Sequence, residues 1–233
     1  MASAFERQRA AVEERLNTIV RGSEPVDAVA AGALDGAIPE LTLKPDGTPE
    51  CGALSADDKT LIEHALCRVL YQLIAAAGEA RTPFMAFTHG GATSGKKGKG
   101  GGGGAPSLPR LLDLSLFISE KGVCDNGVIF TVLEQLLETC TISDCEQVFT
   151  WVEGRRARLS EDVLWRRGRL IMLRTGTELL RRLSKTQDTV LRGRVLLLLS
   201  SLYALSERSA LNLGGSYNKS NTTELDEFPG GGE

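Results

Sequence analysis

Leu179–Leu213 reads LLRRLSKTQDTVLRGRVLLLLSSLYALSERSALNL, and the fold class is decided there. The stretch joins the end of one helix to a second, more apolar one. Upstream of it Trp165, Gly168, Met172, Gly176, Leu179 and Leu183 recur at steps of three and four, which puts them on one helical face. Arg167, Arg174, Arg181 and Lys185 follow steps of seven and four and fall on the opposite face. That helix therefore has a core side and a charged side. Val190–Leu205 is apolar all round, with Arg192 and Arg194 near its start, and such a helix requires protein cover on most faces. A membrane span takes about 18 or more apolar residues. Arg194 interrupts the run at one end and Glu207–Arg208 closes it at the other, so it reads as a buried central helix with no membrane role.

Composition agrees with an all-helical chain. Of 233 residues 42% are hydrophobic and 5% aromatic, Leu dominates the apolar set, and strand formers are few. The net charge of −3 by itself implies no nucleic-acid partner. Its distribution is uneven: Glu153 to Arg194 holds twelve Lys/Arg against five Asp/Glu, while the tail carries Glu224, Asp226, Glu227 and Glu233. The five cysteines (Cys51, Cys67, Cys124, Cys140, Cys145) are odd in number and form no C-x-x-C, which argues for a reduced, intracellular protein without a disulfide framework. The N-terminus, MASAFERQRAAVEERL, is charged and amphipathic, unlike a secretory signal. The sequons Asn218-Lys-Ser and Asn221-Thr-Thr then go unused.

In order along the chain, Ser3-x-x-Glu6 is a capping box. Phe5, Val12, Leu16, Ile19 and Val20 share a helical face that Gly22 ends. Gly22–Leu54 reads as a loop with at most one short helix. Ser55-x-x-Asp58 opens the next helix, whose Leu61, Ile62, Ala65, Leu66, Val69, Leu70, Leu73 and Ile74 keep helical spacing until Gly78 stops it. GGATSGKKGKGGGGGAP is low complexity and cannot bury a core, so it reads as a disordered insertion. Ser107–Glu120 returns to helix. Val128, Ile129, Val132, Leu133, Leu136 and Leu137 mark another, capped by Asp125 or Asn126. Ser143-x-x-Glu146 forms a second capping box ahead of Val148, Phe149 and Val152. Ser160, with Glu161 and Asp162, suits the start of the arginine-striped helix. Short links between these helices imply antiparallel neighbours.

Two runs carry a resemblance. RRLSKTQDTV followed by LSERSALNL, and the upstream GVIFTVLEQLLETCTISDCEQVFTWVE, resemble in the same order the N-terminal helical region of the THO complex subunit 1 family. The likeness runs from Val123 to about Glu224 and is weak before about Leu108. It implies a scaffold of the nuclear complex that couples transcription to mRNA packaging and export and limits RNA–DNA hybrids. The implied partners are the other THO subunits, a DEAD-box RNA helicase and an mRNA export adaptor. Members are usually much longer and continue as an elongated helical scaffold, so the chain reads as a fragment, short isoform or truncated gene model.

No motif supplies a reaction centre. Gly90-Gly-Ala-Thr-Ser-Gly95-Lys96 meets seven positions of a phosphate-binding loop, but Lys97 stands where Ser or Thr should hold Mg²⁺, and poly-Gly follows instead of a helix. His64 and Cys67 lie one turn apart but lack the second pair that structural zinc needs. No G-x-S-x-G occurs and no nucleophile–His–acid set is assignable, so an enzyme is disfavoured and no cofactor or metal is expected.

The arginine cluster is the candidate surface: Arg155, Arg156, Arg158, Arg166, Arg167, Arg169, Arg174, Arg181 and Arg182, with Lys185 beside them. It suits three readings: a solvated face with pairs such as Glu178–Arg182, an interface to an acidic protein, or an RNA or DNA contact. Arg181-Arg-Leu-Ser184 also fits a basophilic kinase site, while Ser184 fits a C-terminal capping role at the end of the helix at least as well. The expected fold is an all-α irregular bundle or short stack of about seven helices. Residues 1–87 would form the N-terminal helices with a loop, 88–106 the insertion, 107–213 the main helical core and 214–233 a flexible acidic tail. The expected function is a non-enzymatic nuclear scaffold, the alternative a nucleic-acid-binding module using residues 155–194.

Overall fold

The computed structural model describes residues 4–22, 26, 30, 34, 35, 54–80, 108–204, 207 and 209. Eight helices occur among them: α1 (Ala4–Arg21), α2 (Ala56–Ala80), α3 (Leu108–Glu120), α4 (Val128–Thr139), α5 (Ile142–Gly154), α6 (Arg156–Leu159), α7 (Asp162–Arg182) and α8 (Thr189–Leu202). The fold is all-α, as expected, and the four-residue α6 is the element that helical periodicity alone does not separate. The glycine-rich insertion, the phosphate-loop-like segment, Ser3, Cys51 and the acidic tail lie outside the described residues.

Helix α3 is the middle of the stack. It contacts α1, α2, α4 and α7. Leu111, Leu112, Leu114, Leu116 and Ile118 are wholly buried. Its polar residues fit that position because each is satisfied. The Ser115 hydroxyl donates to the Leu111 carbonyl at 2.7 Å and the Ser119 hydroxyl to the Ser115 carbonyl at 2.8 Å. Helix α1 packs along α2 on one side, and α7 packs along α4 on the other. One apolar cluster runs from Val12 on α1 to Leu198 on α8.

The expectation of a central helix at Val190–Leu205, covered on most faces, is overturned. Helix α8 is peripheral: it contacts α7 and α5 and buries only Leu191, Val195 and Leu198. Val190 and Leu197 are 71% and 70% exposed. An all-apolar run gives no direction of its own, and here only the stripe facing α7 and α5 meets protein. The long α2 is the one described helix with the length and composition to cross a membrane. Its Leu61, Ile62, Ala65, Leu66, Val69 and Leu70 are buried in the bundle instead.

Several helix ends also differ from expectation. Gly78 lies inside α2, which runs on to Ala80. The cap of α5 is Thr141, not Ser143: its hydroxyl accepts from the Asp144 N–H at 3.3 Å and donates to the Asp144 carboxylate at 2.6 Å. Gly127, without a side-chain cap, precedes α4 in place of Asp125 or Asn126. Ser160 closes α6, and Glu161 is the residue before α7. At α5 the neighbouring Thr141 takes the role that Ser143 could have filled. Ser55 does cap α2, accepting from Asp58 N–H at 3.2 Å, and Gly22 does follow the last residue of α1.

Candidate interaction surfaces

Several arginines of the cluster pair across helices, and Arg174 does so while its side chain stays 63% exposed. Arg155 grips Asp113 of α3, with Nη2 to Oδ2 at 2.9 Å; Trp151 Nε1 donates to the same carboxylate, and the guanidinium lies 4.5 Å from the Trp151 ring. Arg158 forks onto Glu120 at 2.8 and 2.7 Å. Arg174 forks onto Glu134 of α4 at 2.7 and 3.0 Å, and that pairing raises its already high pKa. Arg194 of α8 reaches Glu153 at 2.7 Å and Glu146 at 3.4 Å on α5. Bidentate pairs of this kind fix relative helix position more than point charges do.

A second group closes helix ends. The last carbonyls of a helix lack intrahelical partners and carry partial negative charge. Arg110 on α3 donates to the Ile19 carbonyl of α1 at 3.2 and 3.0 Å. Arg182 donates to the Leu137 carbonyl and, at 2.6 Å, to Cys140 O at the end of α4. Arg192 donates to Leu180 O at the end of α7, at 2.9 Å. The expected Glu178–Arg182 pair is therefore replaced by Glu178–Arg181 at 2.6 Å, because Arg182 is occupied elsewhere.

What remains outward is a narrower surface. Arg156, Arg166 and Lys185 have no ion-pair or hydrogen-bond partner among the described residues, and Arg167 lies a loose 3.9 Å from Asp125. Along α7, Val163, Arg166, Arg167, Leu170, Arg174 and Arg181 fall on one stripe at helical spacing, and Val163 and Leu170 are 60% and 55% exposed. At the amino end of this stripe Asn126, Asp162, Val163, Arg166 and Arg167 line a cleft of about 260 Å³. A second cleft, of about 410 Å³, lies between Glu153, Gly154, Arg156 and Ala157 on one wall and Arg194, Leu197, Leu198 and Ser201 of α8 on the other. Sequence reasoning found the arginines of the α7 stripe and missed its two apolar members. Their signal was present, since Val163 and Leu170 stand at the polar-face positions of the same helix.

Ser184 sits in the α7–α8 link, where its hydroxyl accepts from the N–H groups of Thr186 and Gln187 at 3.4 and 3.3 Å. Its own N–H donates to Asp188 at 2.8 Å. The hydroxyl thus supports the turn leading into α8, and the C-terminal cap of α7 is instead Leu183, whose N–H donates to Leu179 O. Among the described residues no group of three or more His, Cys, Asp and Glu stands together to hold a metal ion, and His64 meets the edge of Phe5 at 6.3 Å. The four described cysteines are free thiols. Burial pushes Cys124 and Cys140 up to about 12, and burial also raises Cys67 and Cys145, so none is an activated nucleophile.

An all-helical body tied by arginine pairs, with a mixed apolar and basic stripe exposed on α7, defines a helical bundle protein. The family model described as THO complex subunit 1 transcription elongation factor matches residues 108–232, and the chain belongs to the THO complex subunit 1 family. Similar proteins include THO complex subunit 1 of Arabidopsis thaliana, 37% identical over 188 residues that make up 76% of this chain and 29% of that protein. THO complex subunit 1 of Homo sapiens is 35% identical over 113 residues, 48% of this chain and 17% of that protein. The mouse protein of the same name gives the same figures. The plant match covers more of the chain than the part downstream of Leu108, so the likeness extends upstream of it, where the resemblance read from sequence was weak. The chain spans less than a third of the length of these curated relatives. No solved structure matches.

Proposed function

We propose that the chain is a non-enzymatic scaffold element of the nuclear THO complex, acting by holding other subunits in place. In that setting it contributes to coupling transcription with mRNA packaging and export, and to limiting RNA–DNA hybrids. Its direct partners are other THO subunits; a DEAD-box RNA helicase and an export adaptor are reached through the complex. Family membership supports the setting. The observation that carries contact as the mode of action is the α7 stripe, where exposed Val163 and Leu170 interleave with Arg166, Arg167, Arg174 and Arg181. Apolar anchors beside arginines suit a protein interface with an acidic rim. The wider candidate set is Arg155, Arg156, Arg166, Arg167, Arg174, Arg181, Arg182 and Lys185. Within it Arg155 and Arg182 serve the fold, whereas Arg156, Arg166, Arg167 and Lys185 face partners.

Arg166→Glu combined with Leu170→Glu tests this reading, because neither side chain is buried. The tagged double variant should lose copurification of THO subunits from nuclear extract while its melting temperature stays unchanged. Full copurification would sink the interface. Intact copurification with a reduced salt-sensitive RNA shift would favour the nucleic-acid alternative, since lost phosphate contacts lower the salt slope.

A further inference from the structure

The cleft between α5–α6 and α8 lies apart from the α7 stripe and has a chemistry of its own. Arg194, Leu197, Leu198 and Ser201 give it one wall at the spacing of a single helical face, and Val190 extends that face one turn toward the amino end of α8. Val190 and Leu197 are the two most exposed large apolar residues of the described chain. Gly154 in the facing wall has open space where a side chain would stand, as does Gly193 on α8. The cleft thus sets Ala157, Leu197 and Leu198 beside Glu153, Arg156, Arg194 and Ser201, and it is open over Gly154.

Its charge is equally specific. The neighbouring arginines are all matched: Arg155 by Asp113, Arg158 by Glu120, and Arg194 by Glu153 and Glu146. Arg156 alone on this rim has no partner among the described residues. Glu153 is already held by Arg194, so the site offers one unmet cation and no unmet carboxylate.

We infer that this cleft docks an amphipathic helix of another protein, one presenting leucine-like side chains at i, i+4 and i+7 flanked by Asp or Glu. The apolar ridge seats against Val190 and Leu197 and fills the space over Gly154, and the carboxylate meets Arg156. A second copy of the chain fits poorly. A two-fold contact places the same patch on both sides, so it brings an unmatched arginine and no free carboxylate. RNA also fits poorly, because the walls present Ala157, Leu197 and Leu198 and no aromatic face on which bases could stack.

Fluorescence anisotropy on the full chain, with a labelled helical peptide of that pattern and a scrambled peptide of equal composition, tests the inference without any THO subunit present. The patterned peptide should bind saturably and the scrambled one should not. Leu197→Glu and Gly154→Phe should each weaken binding by on the order of tenfold or more while leaving the melting curve unchanged, because both positions face open space. Arg156→Glu should reject the acidic peptide and accept its lysine-for-glutamate counterpart. Equal binding of both peptides, binding indifferent to Leu197→Glu and Gly154→Phe, or absence of the charge-swap rescue would each overturn the inference. A concentration-dependent dimer dissolved by Leu197→Glu would overturn it in favour of self-association. Because the assay is independent of the complex, its failure leaves the α7 reading untouched, and the reverse holds too.

Discussion

The ring of Phe130 on α4 occupies the place where a side chain on Gly168 of α7 would stand. A methyl group at Gly168 would fall 2.0 Å from the ring carbons Cδ2 and Cε2. Phe130 is buried to 1% exposure and its ring lies edge-on to Trp165, 6.2 Å away, so it has little room to withdraw. The close approach of α7 to α4 therefore rests on the absence of a Cβ.

Gly168→Ala should destabilise the fold despite the helix propensity it gains. That gain is about 1 kcal/mol, whereas overpacking a filled core typically costs about 1–3 kcal/mol and the overlap here is with a rigid ring. Gly154→Ala is the matched control, since no atom lies within 4 Å of its added methyl. It should leave stability unchanged or raised. Urea denaturation of both variants checks the contrast, and a Gly168→Ala protein as stable as wild type would show that α4 and α7 are not held this closely.

Asp113 and Arg155 should couple far more strongly than Glu178 and Arg181. The first pair is mostly buried, shares its carboxylate with Trp151 and joins α3 to α5. The second is exposed on one helix. Double-mutant cycles should return on the order of 1–3 kcal/mol for the former, as for hydrogen bonds to charged groups. They should return about 0.5 kcal/mol or less for the latter. Similar values would mean that the α3–α5 clamp is open in solution.

Adjacent leucines on α8 should behave as opposites. Leu198 is 5% exposed and Leu197 is 70% exposed. Leu198→Ala should cost about 2–5 kcal/mol through the cavity it leaves. Leu197→Ala should be near neutral, as surface changes usually are. Leu198→Asp should unfold or aggregate the chain, because an unpaired buried charge adds several kcal/mol. Thermal melts of the three variants fix the rotation of α8 about its axis.

Alkaline pH should weaken the fold before the backbone itself is affected. Burial raises Cys124 and Cys140 from an ordinary value of 9.0 to about 12. In the folded chain these thiols stay protonated where the unfolded chain has already released their protons. The native state then binds more protons, so stability is complete below about pH 9.0 and falls as pH rises toward about 12. The Cys124→Ser variant should flatten that fall, and an identical pH profile would refute the assignment.

Where one face of a helix is apolar and the other charged, sequence and structure largely agree, although Val163 and Leu170 stand exposed on the charged face of α7 and Lys185 lies past its end at Arg182. Met172, Gly176 and Leu179 of α7 are buried, and Arg167, Arg174 and Arg181 are exposed. Where the apolar pattern has no direction, periodicity misplaces the centre. The LLLL run of α8 was expected inside, yet α3, with Asp113, Ser115 and Ser119 in its sequence, is the helix that is buried. Its polar groups find partners at distances no spacing rule encodes. The arginine cluster was visible as a charge count, but whether each guanidinium points to water depends on Asp113, Glu120 and Glu134, which lie about forty residues upstream in other helices.

Arg182 carries one more consequence, through its hold on the carbonyls of Leu137 and Cys140. A protein kinase that reads Arg181-Arg-Leu-Ser184 needs the segment drawn out straight, with both guanidinium groups free for its own acidic groove. Here the second of those groups is a bolt across the corner between α4 and α5. Phosphate could be added to Ser184 only in molecules where the bolt is drawn and the final turn of α7 unwound. Incorporation of phosphate at that serine would thus act as a gauge of how often this corner opens, and partners that clamp α4 against α7 would silence it without touching the serine.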